Sequence, residues 1–357
     1  QRFVAVKELQ DPSRGGSAAT RFMREALITA RLEHPSIIPI HDVGAHDDGE
    51  PFYCMKLVEG RSLEEIVRAT PTLAERLALL PHALAVADAL AYAHDRQVVH
   101  RDLKPSNVLV GPFGETVVID WGLAKDLRGP AEAKLEPHAA HTWQGDGGRE
   151  LTQTGELLGT LPFMPLEQAK GHDVGPPADV YAAGALLYFL LSGRPPYDGR
   201  NATAIYHQIL ATPPPDIHQL VPDISPDLAA IVRRAMARAP TDRYASAREL
   251  AADLRRFLAG RMVAARAYSP MDVLRYFVAR HRTLLGIVGA SLVLFLALGI
   301  FSYVRISREN AEAERQRTRA EDNLTLAEGN RAQAEREEQR AKDIAFTALL
   351  ASGRHLL

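Results

Sequence analysis

The sequence predicts an α+β chain in which a small β-rich lobe precedes a larger helical one, and three observations lead there. Candidate strands come early, at Phe3 to Lys7, Ile38 to Gly44 and Phe52 to Val58, followed by short apolar pairs at Val98 to Val99, Val108 to Val110 and Val117 to Ile119. After Asp179 the pattern turns helical, as in ADVYAAGALLYFLLSG and SARELAADLRRFLAG, the second closed by Gly260 at a C-cap position. Thr283 to Val304 then supply 22 positions without a charge.

With 357 residues, 46% of them hydrophobic and 24% charged, the chain can build one large globular domain and further segments. A net charge of -2 offers no bulk attraction to a polyphosphate, which argues against nucleic acid as a partner. The single cysteine, Cys54, excludes an intrachain disulfide, and its apolar strand predicts a packed, reduced thiol. No signal peptide precedes the first strand. That strand, FVAVK, ends on Lys7, so its alternation predicts one ammonium carried into an interior.

The uncharged segment spans roughly 33 Å as a helix, close to the ~30 Å hydrocarbon core of a bilayer. Helices of soluble cores rarely lack polar residues on every face, so a membrane span is the expectation. Arg280 and Arg282 before it balance Arg305 and Arg308 after it, and charge alone does not orient it. Beyond it, Ser307 to Lys342 is rich in Glu, Arg, Ala and Gln, with Ala313, Ala320, Ala327, Ala334 and Ala341 seven apart. The companion positions include Arg317, Arg331 and Glu338, half of a coiled-coil seam, which leaves a homodimer and a solvated single helix both open.

The densest chemistry lies in VVHRDLKPSNVLV, Val98 to Val110, where Asp102, Lys104 and Asn107 sit in a loop broken by Pro105, and in VIDWG, where a strand ends on Asp120 before a glycine. One carboxylate to orient a hydroxyl, an ammonium for a moving phosphoryl group, and an amide plus a second carboxylate as hard oxygen ligands suit phosphoryl transfer with Mg²⁺.

These motifs make the chain resemble the eukaryotic-like (Hanks-type) serine/threonine protein kinases, and among them the bacterial receptor type with a single membrane span. The likeness covers Arg2 to about Leu258 and implies a bilobal protein-kinase-like fold. It implies ATP and Mg²⁺ as cofactors, with Lys7 of VAVK on the nucleotide phosphates and Glu25 pairing with it. Asp102 then matches the catalytic Asp and Lys104 the residue that neutralises the transferred group, while Asn107 and Asp120 match the metal ligands. The DLKPSN form of the loop leans to Ser and Thr of proteins as acceptors. YCMKLVEG resembles the hinge between lobes: backbone groups of Lys56 and Val58 would meet adenine, Met55 would back the pocket, and Ala5 and Leu109 would sandwich the ring, although each could equally be a core residue.

The resemblance extends to the activation segment. Arg101 matches a basic residue that receives an activation-loop phosphate, Thr152 and Thr154 become candidate autophosphorylation sites, and Thr160 matches the Thr that contacts the catalytic Asp and Lys. Glu167 would pair with Arg243, and Asp179 would brace the catalytic loop. Two departures stand out: Trp121 replaces the usual Phe and brings an N–H that needs a partner, and Pro165-Leu166-Glu167 replaces Ala-Pro-Glu. His100 and Trp121 are expected to pack rather than catalyse.

The expected organisation is a kinase domain at 1–260, a juxtamembrane linker at 261–282, a transmembrane helix at 283–304 and a polar helical segment at 305–357. Because the family's Gly-rich hairpin precedes the VAVK strand, a chain opening on Gln1 is expected to be incomplete at its N-terminus, the small lobe lacking its first strands. The ATP supply places the kinase domain in the cytoplasm, as a single-pass membrane protein acting in signal transduction. A pseudokinase scaffold and a small-molecule kinase of the same fold are the alternatives.

Overall fold

The computed structural model describes residues 3–9, 16–47, 49–128 and 159–353, and it divides into two units, Gln1–Ser269 and Pro270–Leu357. In the first unit, strand β1 (Val4–Glu8) pairs antiparallel with β3 (Pro51–Lys56), whose other side takes β2 (Ile40–Ala45), so the sheet order is β1-β3-β2. The register sets Ala5 opposite Met55 and Lys7 opposite Tyr53. Side chains alternate along a strand, so these four share the covered face.

Two expectations are corrected here. The apolar residues Phe3, Val4 and Val6 are exposed, and it is Ala5 and Lys7 that turn inward, because β1 is an edge strand among the described residues and only one of its faces is covered. Cys54 lies opposite Val6 on the uncovered face and is half-buried rather than packed in a core. Helix α1 (Gly16–Ala30) covers the inner face by placing Phe22 and Ala26 against Tyr53.

The larger lobe begins with a second sheet, β4 (Arg61–Ser62), β6 (Val108–Val110) and β7 (Thr116–Val118), while β5 (Val98–Val99) pairs with β8 (Lys125–Asp126). Two backbone bonds join the stretch before β2 to β7: Val118 N–H to Ser36 O at 2.8 Å and Ile38 N–H to Val118 O at 3.1 Å. Ser62 and Thr72 each form a reciprocal capping box, with Glu65 and Glu75, at the starts of α2 (Leu63–Ala69) and α3 (Leu73–Leu77).

Helices α4 (Leu80–Asp95), α5 (Leu166–Ala169), α6 (Pro176–Ser192), α7 (Ala202–Ala211), α8 (Ile217–Leu220), α9 (Pro226–Ala235) and α10 (Ala247–Leu258) complete this lobe. α6 is apolar on nearly every side and buried from Ala178 to Leu191, with α4, α9 and α10 packed around it. A helix of that character is stable only when surrounded. Gly184 permits the close approach of α9: a Cβ there would stand 2.6 Å from the Ala235 Cβ and 2.9 Å from Met236 Cγ.

The unit continues past Gly260, although the sequence suggested a linker from 261. Val263 is buried, and the buried carboxylate of Asp253 in α10 accepts the N–H groups of Ala264 at 2.7 Å and Ala265 at 2.9 Å. Arg266 pairs with the buried Asp227 at 2.9 Å. Asp253 reads as one more charge on an amphipathic helix, and its spare acceptor capacity is what captures the following chain.

In the second unit, α11 (Pro270–Arg280) is followed by α12, one helix from Arg282 to Gly353. The apolar segment and the polar tail, separate in the sequence reading, share this helix because Ala, Glu, Arg and Gln carry it on without a proline. Pairs such as Arg305–Glu309 at 2.8 Å and Arg331–Glu335 at 3.3 Å support its polar part. By length and composition its apolar part is sufficient to cross a membrane, and none of that stretch is buried within the chain; the similar stretch Leu73–Asp95 is half buried in the core.

Replacing Gly184 by Ala forces α6 and α9 apart, and we expect a loss of about 1–3 kcal/mol. A urea unfolding midpoint equal to that of the unchanged chain would show that the two helices do not meet at this point.

Candidate active site

Three elements of the small lobe bring their polar groups to one place. Glu25 lies on the face of α1 that also carries Phe22 and Ala26, so packing the helix buries a carboxylate. A buried charge requires partners. Lys7 Nζ supplies one at 2.7 Å from Glu25 Oε1, and the Tyr53 hydroxyl donates to the same oxygen at 2.8 Å. The Lys7 ammonium also reaches Asp120 Oδ1 at 3.3 Å, across 113 residues of sequence. Burial acts to lower the Lys7 pKa, but the Asp120 and Glu25 carboxylates outweigh it and hold the ammonium above its ordinary range. Burial, reinforced by the Glu25 charge, pushes the Tyr53 phenol up, so it stays a donor.

The large lobe contributes a loop folded around Asp179, in the first turn of α6. Its Oδ2 accepts the His100 N–H at 2.8 Å and its Oδ1 the Arg101 N–H at 2.9 Å, while His94 Nε2 lies 2.8 Å from Oδ2. These bonds hold Arg101 at φ +69°, a left-handed conformation that costs a non-glycine residue about 1–3 kcal/mol. Burial alone would raise the Asp179 carboxyl; the His94 contact and the Arg101 N–H bring it below its ordinary value of 3.8.

The turn delivers Asp102 into a set of short contacts. Lys104 Nζ stands 3.3 Å from Asp102 Oδ2 and donates to Thr160 Oγ1 at 2.8 Å. Asn107 Nδ2 donates to the Asp102 carbonyl at 2.8 Å and to Oδ2 at 3.2 Å, which leaves the amide presenting its Oδ1. Asp102 Oδ1 is buried and accepts no hydrogen bond among the described residues. His100 Nδ1 accepts the Asp102 N–H at 3.2 Å, so its proton lies on Nε2, 3.4 Å from Ile119 O.

Asp120 also holds a left-handed backbone, φ +62°, and the Ile119 N–H bonds Asn107 O at 2.9 Å, tying this turn to the loop. Burial would raise the Asp120 carboxyl, yet the Lys7 ammonium, as the largest opposing charge, holds it low. Gly122 closes the turn: a Cβ there would lie 3.1 Å from Glu25 Oε2 and 3.3 Å from Asp120 Oδ1. Trp121 is buried against the His100 ring at 4.5 Å, and its indole N–H lacks the partner that the sequence suggested it would need.

The oxygens of Asn107 and Asp120 are hard donors suited to Mg²⁺. Among the described residues no group of three His, Cys, Asp or Glu could hold a metal, so an ion here would draw its other ligands from phosphate and water.

A family model for the protein kinase domain matches residues 1–254. The chain belongs to the protein kinase family. It is 35% identical over 271 residues to a Streptomyces coelicolor protein named "Probable serine/threonine-protein kinase SCO3848", an alignment covering 74% of this chain and 37% of that protein. It is 33% identical over 260 residues to the serine/threonine-protein kinase PknB of Mycobacterium tuberculosis, covering 71% and 38%. The chain thus spans under two fifths of these relatives' length. The crystal structure of the Mycobacterium tuberculosis PknI kinase domain resembles it with a TM-score of 0.51 and 27% identity, over 71% of this chain and 84% of that one.

Elsewhere in the kinase domain, Glu167 and Arg243 meet in a bidentate pair at 2.6 and 3.0 Å. The buried guanidinium spends its remaining donors on the carbonyls of Ala237, Pro177 and Arg238. Met55 and Val58 pack at the edge of the main core. Ala5 and Leu109 are half-buried, and Lys56 is exposed, with its N–H already bonded to Pro39 O at 3.1 Å. Lys56 could therefore offer a ligand only its carbonyl. Thr152 and Thr154 lie outside the described residues. Sequence reasoning missed Tyr53, Gly122 and Gln168, whose Nε2 donates to Arg101 O at 2.7 Å. Tyr53 could have been found from the pairing of the VAVK and FYCMK strands, which sets it opposite Lys7.

The lowered Asp179 carboxyl stabilises the fold fully above the ordinary carboxyl value of 3.8, a contribution lost as pH falls through its lower folded value. We expect Asp179→Asn to unfold about 1–3 kcal/mol more easily near pH 7 and to show a shallower loss of stability below about pH 4 than the unchanged chain. Parallel curves for the two proteins would contradict this assignment. For Trp121→Phe, removing the unsatisfied N–H should offset the lost ring volume and leave stability within about 1.5 kcal/mol, as read by thermal unfolding. A larger loss would reveal a partner for the indole.

Proposed function

We propose that this chain is the catalytic part of a membrane-anchored serine/threonine protein kinase that moves the γ-phosphoryl group of ATP to Ser and Thr hydroxyls of proteins, in signal transduction. The observation that carries this reading is the meeting of Lys7, held by Glu25, with Asp120 at 3.3 Å, beside a loop in which Asp102, Lys104, Asn107 and Thr160 are mutually bonded. The presence of this whole set favours turnover over a pseudokinase scaffold, and the Glu167–Arg243 pair beneath the substrate-side loop favours a protein acceptor over a small molecule.

In this reading Lys7 grips the α and β phosphates, with Glu25 and Tyr53 fixing the ammonium. Ala5, Met55, Val58, Leu109 and the Lys56 carbonyl surround the adenine. Asp102 offers its buried, unpartnered Oδ1 to the acceptor hydroxyl, orients it and takes its proton late. Lys104 sits where negative charge shifts during transfer, and its bond to Thr160 links it to the loop that would carry the acceptor. Asn107 and Asp120 would hold Mg²⁺, which offsets phosphate charge when bound. Arg101 and Asp179 position the loop, and Arg243 with Glu167 supports the segment after Thr160. Thr152 and Thr154 are the candidate autophosphorylation sites.

The apolar part of α12 within 283–304 is the proposed single span. Because ATP is cytosolic, residues before it face the cytoplasm and those after it the opposite side.

Labelling of a generic basic protein with radioactive ATP and Mg²⁺ tests the proposal. Asp102→Asn should lower turnover roughly 100-fold or more while the fold survives; labelling that persists at the original rate rules the reading out.

A further inference from the structure

A second cluster of charges lies away from the nucleotide residues. Arg101 and Lys125 are well covered, with side chains 14% and 12% exposed, and both point to Asp173, whose side chain is 76% exposed. Arg101 NH2 is 3.6 Å from Asp173 Oδ1, and Lys125 Nζ donates to the same oxygen. Two cations brought together by the fold repel each other unless an anion stands between them. An isolated surface ion pair contributes little, but here both cations have already lost much of their water.

The three residues come from places that matter to the loop. Arg101 directly precedes Asp102 and carries the left-handed turn. Lys125 begins β8 and pairs with Val99, two residues before Arg101. Asp173 sits between α5, which bears Glu167, and α6, which bears Asp179. One carboxylate therefore joins the entry to the Asp102 loop, the strand after the Asp120 turn, and the stretch after Thr160. The hydrogen bond from Lys125, together with the Lys125 and Arg101 charges, holds the Asp173 carboxyl below its ordinary range, so it is ionised at neutral pH.

Two cations in this arrangement form a receptor for a phosphate-class anion. We propose that Asp173 is a positioning residue, a resident carboxylate that occupies a two-cation phosphate-type site and sets Arg101, and through it Asp102, without a phosphate being added. The inference rests on the kinase reading. It differs from the expectation that Arg101 waits for a phosphorylated Thr, because a carboxylate of the chain itself already stands at the guanidinium.

The test compares the chain with Asp173→Ala, both first treated with a phosphatase. The unchanged protein should keep its turnover after that treatment. Asp173→Ala should lose about tenfold or more in kcat with little change in the KM for ATP, and added inorganic phosphate should restore much of the loss. Adding Lys125→Ala to Asp173→Ala should abolish the rescue. In thermal unfolding, phosphate should stabilise Asp173→Ala and leave the unchanged chain unaffected.

Full kcat in Asp173→Ala, a loss that phosphate does not relieve, or inactivation of the unchanged protein by the phosphatase would each overturn the proposal. If the unchanged protein labels no substrate before phosphatase treatment, the kinase reading fails instead. Phosphate then still decides the site through thermal unfolding, with equal shifts in both proteins counting against it.

Discussion

Asp179 is a carboxylate almost without solvent contact, and the catalytic loop takes its shape from the donors that such a group requires. Left unpaired, a buried charge would be costly enough to protonate or unfold its surroundings. Here the His100 and Arg101 amides turn toward it, together with His94, and this draws the backbone through a left-handed residue just before Asp102. The position of Asp102 is thus a consequence of how α6 satisfies its first-turn acid. α6 in turn is fixed by its apolar surface, enclosed by α4, α9 and α10.

The small lobe follows the same logic with a different charge. Glu25 is buried because its neighbours on α1 are apolar, and it recruits Lys7 and Tyr53 from adjacent strands. Since Lys7 also touches Asp120, the acid at the end of a large-lobe strand is electrostatically joined to the small lobe before any ligand is considered. Gly122 allows this approach, since a side chain at that position would crowd both carboxylates.

Much of this was legible in the sequence wherever chemistry is packed into a short stretch. HRDLKPSN and IDWG carry their polar residues within a few positions, and the structure brings Asp102, Lys104 and Asn107 into direct contact. The distant pair of Glu167 and Arg243 was accessible only through the family resemblance. What escaped were partners set by tertiary approach: Tyr53, whose role depends on strand register, and Asp173, which meets Arg101 across 72 residues of sequence. The end of the domain was misplaced because Gly260 does end α10 in a left-handed turn, at φ +61°, but nothing local signals that Asp253 will bind the backbone beyond it.

That capture changes the mechanics of the connection between the two units. With 264 and 265 bonded to Asp253 and Arg266 anchored to Asp227, the stretch from 261 to 268 is not loose rope. On the other side, the His281 N–H bonds Phe277 O at 3.0 Å and the Leu285 N–H bonds His281 O at 2.8 Å, so the backbone stays stitched where α11 gives way to α12. Covalent slack is confined to the few residues around Ser269. A twist or pull applied along α12 would arrive at α10 with little lost on the way, which makes this short tether a transmission element rather than a spacer.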